Sequence, residues 1–151
     1  FLATSGDIVL VQDADLEYDP RDYGILLGPL LAGTADVVCG SRHLEKSKNI
    51  YAYRRYLWGG LMLNAIVNMI GGSAISDIFS GSKVFPRSVV DQLHLESSGF
   101  EIETELTLKL IKTGLRVVEV PITYSARTIE QGKKIRPYHA LKIIATAIKS
   151  R

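Results

Sequence analysis

The sequence predicts an α/β fold, on three observations. Ile8–Val11, and Val37–Cys39 within a strand expected over Ala35–Cys39, are short apolar runs, as in strands buried on both faces of a sheet. The segment between them carries helix start and stop signals, so strand, helix and strand together make a βαβ unit. A later succession, Glu101–Lys112 and then Leu115–Thr123, repeats the alternation of helix and strand.

Taken in order, Phe1–Gly6 reads as the end of a helix, with Gly6 able to cap it. After the first strand, Asp19 is an N-cap, Pro20 takes the first helical position and Asp22 follows three residues from the cap. That helix is expected to reach about Ala32 and stop at Gly33, with Pro29 kinking or shortening it. The strands on either side of it are expected to pair in parallel through a right-handed crossover. Leu44–Arg55 is polar and basic and reads as a mobile loop. Tyr56–Ile70 is an apolar helix with Asn64 and Asn68 at i, i+4, ending near Gly71-Gly72. A short strand, Lys83–Phe85, precedes a short helix from Pro86 to about Leu93. Glu101, Glu103 and Glu105 form the acidic first turn of a helix through Lys112, where acids are stabilised by the helix dipole. Pro121 places the strand Leu115–Thr123 at a sheet edge or near its own end. Pro137 opens a last helix with Leu141, Ile144 and Ile148 as its apolar stripe.

Composition is that of a globular protein, with 46% hydrophobic and 23% charged residues. A single cysteine, Cys39, excludes an internal disulfide and fits a reducing compartment. From Arg127 to Arg151 there are seven Lys or Arg against one acid, Glu130, which suits an anionic partner. The apolar stretch Leu57–Ile70 falls short of the ~20 residues a spanning helix needs, and no signal peptide is visible. The first residue is Phe, close to the first strand, so the chain is expected to be the later part of something longer, a single partial domain over 1–151.

The chemistry gathers at the strand ends. Asp13, Asp15 and Glu17 follow the first strand at spacing i, i+2, i+4, roughly 6.6 Å apart along one face of an extended backbone. Ligands of open α/β sheets bind beyond the carboxyl ends of strands. Three like charges there call for a hard cation, Mg²⁺ or Mn²⁺, which takes carboxylate oxygens and keeps places for water and phosphate. Arg42 leaves the second strand on the same edge, as a phosphate-matched fork or as a partner of Asp13 or Asp15. Arg54 and Arg55 open the apolar helix, where they suit an anionic head group. Asp77 fits three roles: orienting an arginine, touching a sugar hydroxyl, or capping a turn.

These segments resemble a known family. The carriers are residues 6–20 (GDIVLVQDADLEYDP), 35–42 (ADVVCGSR), 100–107 (FEIETELT), 118–124 (VEVPITY), and Ala126-Arg127-Thr128 with Gly132-Lys133-Lys134-Ile135. In order and spacing they are similar to the later half of an inverting family-two glycosyltransferase with the GT-A, Rossmann-like fold. The dolichyl-phosphate mannosyltransferase, or polyprenol-phosphate glycosyltransferase, type is the nearest. The family's opening strand and its Val-Asp-Asp-Gly-Ser motif, which hold base and ribose, are absent, so the N-terminal nucleotide-binding half is expected to be missing and the chain to be inert alone. Phe79-Ser80-Gly81-Ser82 also departs from the family's more usual Thr-Gly-Tyr or Thr-Cys-Phe type of sequence.

The resemblance implies that Asp13 and Asp15 are the D-x-D pair holding the metal on the nucleotide diphosphate, with Glu17 beside it. It places Arg42 toward phosphate, Arg54 or Arg55 on the acceptor phosphate, and Arg127 and Lys133 in a loop that closes over the donor. It implies sugar transfer with inversion from a GDP-mannose or UDP-glucose type of donor to a polyprenyl (dolichyl or undecaprenyl) phosphate. The protein would then lie on the cytoplasmic face of a membrane. A hydroxyl acceptor would instead require a base, for which Asp77 or Glu103 are candidates. An Asp-nucleophile phosphatase wants Thr or Val where Glu17 stands. A basic membrane-surface module without catalysis leaves the strand-end acids unexplained. No aromatic platform interleaves the basic residues, so no nucleic-acid partner is expected.

Overall fold

The computed structural model describes residues 5–45, 49–90, 92–132 and 138–151. Its centre is a four-stranded mixed sheet in the order β1-β3-β2-β4, with β1 at Ile8–Val11, β2 at Val37–Ser41, β3 at Lys83–Pro86 and β4 at Val117–Pro121. Strand β3 runs antiparallel to both β1 and β2, whereas β2 and β4 are parallel. The expected β1–β2 pair is therefore corrected: the two strands point the same way, but β3 lies between them. Two apolar runs carry no record of which neighbour hydrogen-bonds them, and a short strand far along the chain takes the intervening place.

The register explains why the site forms where it does. Val11 and Cys39 both face Lys83, so the carboxyl ends of β1 and β2 meet the start of β3. Ser41 pairs with Pro121, which brings the end of β4 to the same edge. The edge strand carries its proline as its last residue, where no further ladder bond is needed.

Helices cover both faces. A 3₁₀ turn at Pro20–Asp22 leads into α1 (Tyr23–Leu31), so the expected single helix begins as a tighter turn with Asp19 accepting from Arg21 N. Pro29 sits inside α1, and Gly33 leaves it with φ +68. Leu26 of α1 packs with Val38, Val84, Val120 and Ile122. On the opposite face α3 (Arg87–Val90) and α4 (Ile102–Lys112) cover Val37, Cys39 and Phe85 with Val89, Leu106 and Leu110. Successive residues of β2 thus enter opposite cores, as period-two geometry demands.

A third core joins α2 (Arg54–Gly71), α4 and α5 (Tyr138–Lys149) through Val67, Ile78, Leu108, Ile143 and Ala147. Gly72 ends α2 in the left-handed conformation at φ 64, donating to Asn68 O. The apolar stripe expected on the last helix is corrected. Ile143 and Ala147 are buried, while Leu141 and Ile148 are 73% and 60% exposed. That helix has apolar residues on more than one side, and contact with α2 and α4 decides which side is covered.

Candidate active site

The three strand-end acids do not keep the extended alternation that the sequence suggests. Strand β1 ends at Val11, and the chain then bends, with Leu16 in the left-handed region at φ 63. A leucine rarely takes that conformation. Asp15 Oδ1 accepts from Glu17 N at 3.1 Å, closing a tight turn. The extended alternation is lost, and Glu17 swings inward to 8% exposure. There Tyr124 OH donates to Glu17 Oε2 at 2.7 Å, and Arg127 N donates to Oε1 at 2.8 Å. Among the described residues no three His, Cys, Asp or Glu side chains come together as a metal-holding group. The expected three-carboxylate group is therefore not seen, and Glu17 is committed to its own partners.

Asp13 and Asp15 differ in setting. Asp13 lies against Gly81, where a Cβ would fall on its carboxylate. Among the described residues no group hydrogen-bonds it. Burial of its carboxyl, and then the charges of Glu103 and Asp15, hold it above the usual aspartate range, against the pull of Lys83 and Arg42. Asp15 Oδ2 accepts from the Arg127 guanidinium at 2.6 Å, and Arg127 Nε reaches Glu17 Oε1 at 3.3 Å.

Arg42 and Asp77 form a fork at the end of β2. Arg42 Nε and a terminal nitrogen donate to the two Asp77 oxygens at 2.6 and 2.7 Å, and Arg42 N donates to Oδ2 at 3.0 Å. Asp77 is 1% exposed, so burial works against its charge. Arg42 outweighs that and holds the carboxyl below its ordinary value. The guanidinium also lies over the Tyr124 ring, 4.9 Å from its centre. Of the roles open to Asp77, the structure displays the orienting of an arginine, and Arg42 pairs with Asp77 rather than with Asp13 or Asp15.

The segment 75–82 that carries Asp77 and Gly81 is held from three sides. Asn64 Oδ1 accepts from Ile78 N at 2.8 Å, and its amide donates to Ile75 O at 2.9 Å. Asn68 exchanges two hydrogen bonds with Ile75, at 2.8 and 3.0 Å. From β4, Glu119 accepts from Ser76 N, Ser76 Oγ and Asp77 N. Tyr18 OH accepts from Gly81 N at 3.1 Å.

Lys83, read from sequence only as the start of a strand, is fully buried beside Asp13. Its ammonium donates to Glu103 at 2.5 Å and to the carbonyls of Ile78 and Ser80. Glu103 is thereby tied to a lysine. Arg54 and Arg55 stand exposed at the start of α2, with Arg55 over the rings of Tyr53 and Tyr56 at 5.3 and 5.2 Å. Lys133 lies outside the described residues. Lys83 has no local signal beyond its residue type, whereas Glu119 and Tyr124 stand in the string 118–124 that carries the resemblance but are given no role by it. The paired asparagines of α2 were visible, and a polar pair one turn apart on an apolar helix is the sign of such a clamp.

A model of the family described as Glycosyl transferase family 2 matches residues 1–93. The chain belongs to this family. Among curated members it is 33% identical over 136 residues to the polyprenol monophosphomannose synthase of Mycolicibacterium smegmatis, covering 85% of this chain and 49% of that protein. It is 30% identical over 135 residues to the dolichol-phosphate mannosyltransferase of Pyrococcus furiosus, covering 88% and 38%. A solved structure of glucosyl-3-phosphoglycerate synthase from Mycobacterium tuberculosis, in complex with Mn²⁺ and UDP-glucose, superposes with a TM-score of 0.62 at 22% identity, over 98% of this chain and 50% of that one. That likeness establishes the GT-A fold. The chain spans about half or less of the length of the relatives it matches. The family is one of glycosyl transferases.

Proposed function

We propose that this chain is the catalytic and acceptor-facing part of a longer enzyme that transfers a hexose, with inversion, from a nucleotide-sugar of the GDP-mannose or UDP-glucose type to a polyprenyl phosphate. The observation that carries the reading is the meeting of Asp13, Asp15, Arg42 and Arg127 at one sheet edge. The names of the polyprenol- and dolichol-phosphate mannose enzymes at about 30% identity support the acceptor.

The reading includes a divalent cation, Mg²⁺ or Mn²⁺, at Asp13 and Asp15, supported by the Mn²⁺ in the glucosyl-3-phosphoglycerate synthase structure. Asp13 is an exposed carboxylate within electrostatic reach of Asp15 and Glu103. Two carboxylates leave most of a hard cation's shell for water and phosphate oxygens. When bound, the ion would offset the charge that grows on the departing diphosphate. The chain's own residues do the rest. Arg127 offers a guanidinium to the leaving diphosphate. Arg42, braced by Asp77 and Tyr124, presents a fixed positive face to phosphate. Arg54 and Arg55 hold the acceptor phosphate at the start of α2. An oxygen of that phosphate attacks the anomeric carbon as the bond to the diphosphate breaks, and the electron pair leaves with the nucleotide. A phosphate is already anionic, so no general base is required, which agrees with Glu103 being paired with Lys83.

Peripheral attachment to a membrane follows from the same reading. Among the described residues no helix is long and apolar enough to cross a bilayer. Trp58, Met62 and Met69 of α2 are 63%, 66% and 78% exposed at helical spacing, just beyond Arg54 and Arg55. An apolar stripe flanked by arginines suits an anionic lipid surface.

Sugar transfer from a panel of GDP- and UDP-sugars to a polyprenyl phosphate, with and without Mn²⁺, tests the proposal in the full-length protein. The expected result is an inverted, metal-dependent lipid product that Asp15→Ala abolishes. Transfer to hydroxyl acceptors alone would overturn the lipid-phosphate reading, and Asp15-independent transfer would overturn the site.

A further inference from the structure

The backbone that carries Asp77 has no ladder of its own. The amides of Ile75, Ser76, Asp77 and Ile78 all donate to side chains: Ile75 N to Asn68 Oδ1, Ser76 N and Asp77 N to Glu119, and Ile78 N to Asn64 Oδ1. The asparagines hold the two ends of this stretch, and Glu119 holds its middle. Of the three, only Glu119 is charged. It leaves β4 on the face opposite Val118 and Val120, in register with Cys39. Its carboxylate accepts from Ser76 N at 2.9 Å, from Ser76 Oγ at 2.7 Å and from Asp77 N at 3.2 Å. Ser76 Oγ also meets Ser41 Oγ at 2.6 Å, one residue before Arg42. Glu119 thus reaches both sides of the Arg42–Asp77 fork.

We propose that Glu119 is a positioning residue for the transfer reaction: it aims the Arg42 guanidinium at phosphate by fixing the backbone of Asp77. The inference rests on the proposed function for what Arg42 meets, and adds how Arg42 is held there. Arg42 donates to Asp77 from N, Nε and Nη2, and among the described residues its Nη1 is left without a hydrogen-bond partner. The plane of the guanidinium is therefore set by where the Asp77 carboxylate stands, and Nη1 is the donor left for a phosphate oxygen. Asp77 has a short side chain, so its carboxylate follows its own backbone, and the amide of that backbone is held by Glu119. The frame is rigid, because β4 pairs with β2 from Val37 to Ser41 and carries Glu119 beside the strand that ends at Arg42. A carboxylate suits the task better than an amide. It has two accepting oxygens for three donors, and its charge strengthens each bond. A glutamine would offer one oxygen and set an NH₂ group against donors. The aim of Arg42 matters because a displacement of about 1 Å in a positioning group is enough to cost on the order of a hundredfold in rate.

A residue that acts through Arg42 has a signature that a merely structural one lacks: its removal costs nothing further once Arg42 is gone. The full-length protein, Glu119→Gln, Arg42→Gln and the double variant are compared by initial rates of transfer from GDP-mannose or UDP-glucose to a polyprenyl phosphate, with KM and kcat taken separately for donor and lipid. Glu119→Gln is expected to lower kcat/KM on the order of tenfold when Arg42 is present, and by less than about twofold when it is not. The rise in KM should fall on the same substrate, donor or lipid, as in Arg42→Gln, because both changes disturb one phosphate contact. Equal losses with and without Arg42, a rise in KM of the other substrate, or no loss at all from Glu119→Gln overturns the proposal. Full activity of Arg42→Gln fails the placement of Arg42 on phosphate, and the positioning role falls with it. Nitrogen-15 resonance of the Arg42 Nε–H group reads the aim of the arginine without the reaction. Its exchange with solvent should be slow in the unaltered protein and several-fold faster in Glu119→Gln, and an unchanged rate sinks the positioning role while leaving the transfer reading standing. If Glu119→Gln does not fold, Ser76→Ala takes its place in the same cycle, since it removes one donor to Glu119 and no charge. A loss of roughly threefold that vanishes in the Arg42→Gln background is then expected, and a loss that persists there overturns the proposal.

Discussion

Asp77 is a carboxylate that exists for one arginine. It is 1% exposed, takes three hydrogen bonds from Arg42, and has no access to water that would make up for their loss. Breaking a buried pair by removing one charge typically costs about 3–5 kcal/mol. Asp77→Asn is therefore expected to lower unfolding free energy by that order, read by chemical denaturation, and to weaken nucleotide-sugar binding with it. Glu105 shows the opposite kind of carboxylate, a purely structural one. Burial works to raise its pKa, yet hydrogen bonds from Lys109 and from the backbone of Ser97 and Glu96 bring it down to about 2. An acid depressed on folding stabilises the folded state fully above its unfolded value, here 4.5, and loses that contribution as pH falls toward 2. The contribution at neutral pH is ~3 kcal/mol. Thermal stability should therefore drop between these two values, and Glu105→Gln should flatten that part of the curve while lowering stability at pH 7.

At the scale of elements, α2 links two regions that the sequence keeps apart. Its first turn carries Arg54 and Arg55, and its middle carries the asparagines that hold segment 75–82. Replacing Asn64 with leucine leaves Ile78 N–H and the carbonyl of Ser76 without that partner, at a cost of roughly 1–3 kcal/mol. The expected signature is local as well as global: faster hydrogen exchange at the Ile78 amide than at the core amides of β2, together with a lower melting temperature. Helix α4 does comparable work on the other side. Its Glu103 meets Lys83 of β3, and its Leu108 joins the core shared with α2 and α5. Within the sheet, Gly40 marks how closely β2 meets the chain beside β3 and β4: a Cβ there would stand 2.8 Å from Ile122 and 3.0 Å from Ser82 Cβ.

The whole molecule has a chemical edge and an apolar outer surface. The edge is made where β1, β2 and β4 end and β3 begins. The outer surface includes the α2 stripe of Trp58, Met62 and Met69. If that stripe rests on lipid, replacing all three with serine should reduce co-sedimentation with anionic vesicles several-fold and leave the melting temperature almost unchanged, since each is already exposed. Loss of fold or unchanged vesicle binding would place the stripe elsewhere, against protein.

Local patterns by themselves determined much of this protein. Caps, prolines and apolar runs located nine of the elements to within a few residues, and the order of motifs identified the family and the carboxylate-bearing strand end. The strings around Arg42 and Arg127 carry the family resemblance. What only the tertiary structure decided was adjacency. Strand order was hidden because an apolar run records burial but not its partner, so β3 entered between β1 and β2 unannounced. The convergence of Asp13, Asp15 and Glu17 failed because it assumed an extended backbone, and one left-handed leucine turns Glu17 toward Tyr124 and Arg127, over a hundred residues away in sequence. Lys83 gained its meaning from a helix twenty residues on. The covered side of α5 depended on which helices lay beside it. Sequence carries local propensity and the chemistry of each side chain; the pairing of distant charges is set by packing, because the cost of burying a charge alone is what forces its partner to be there.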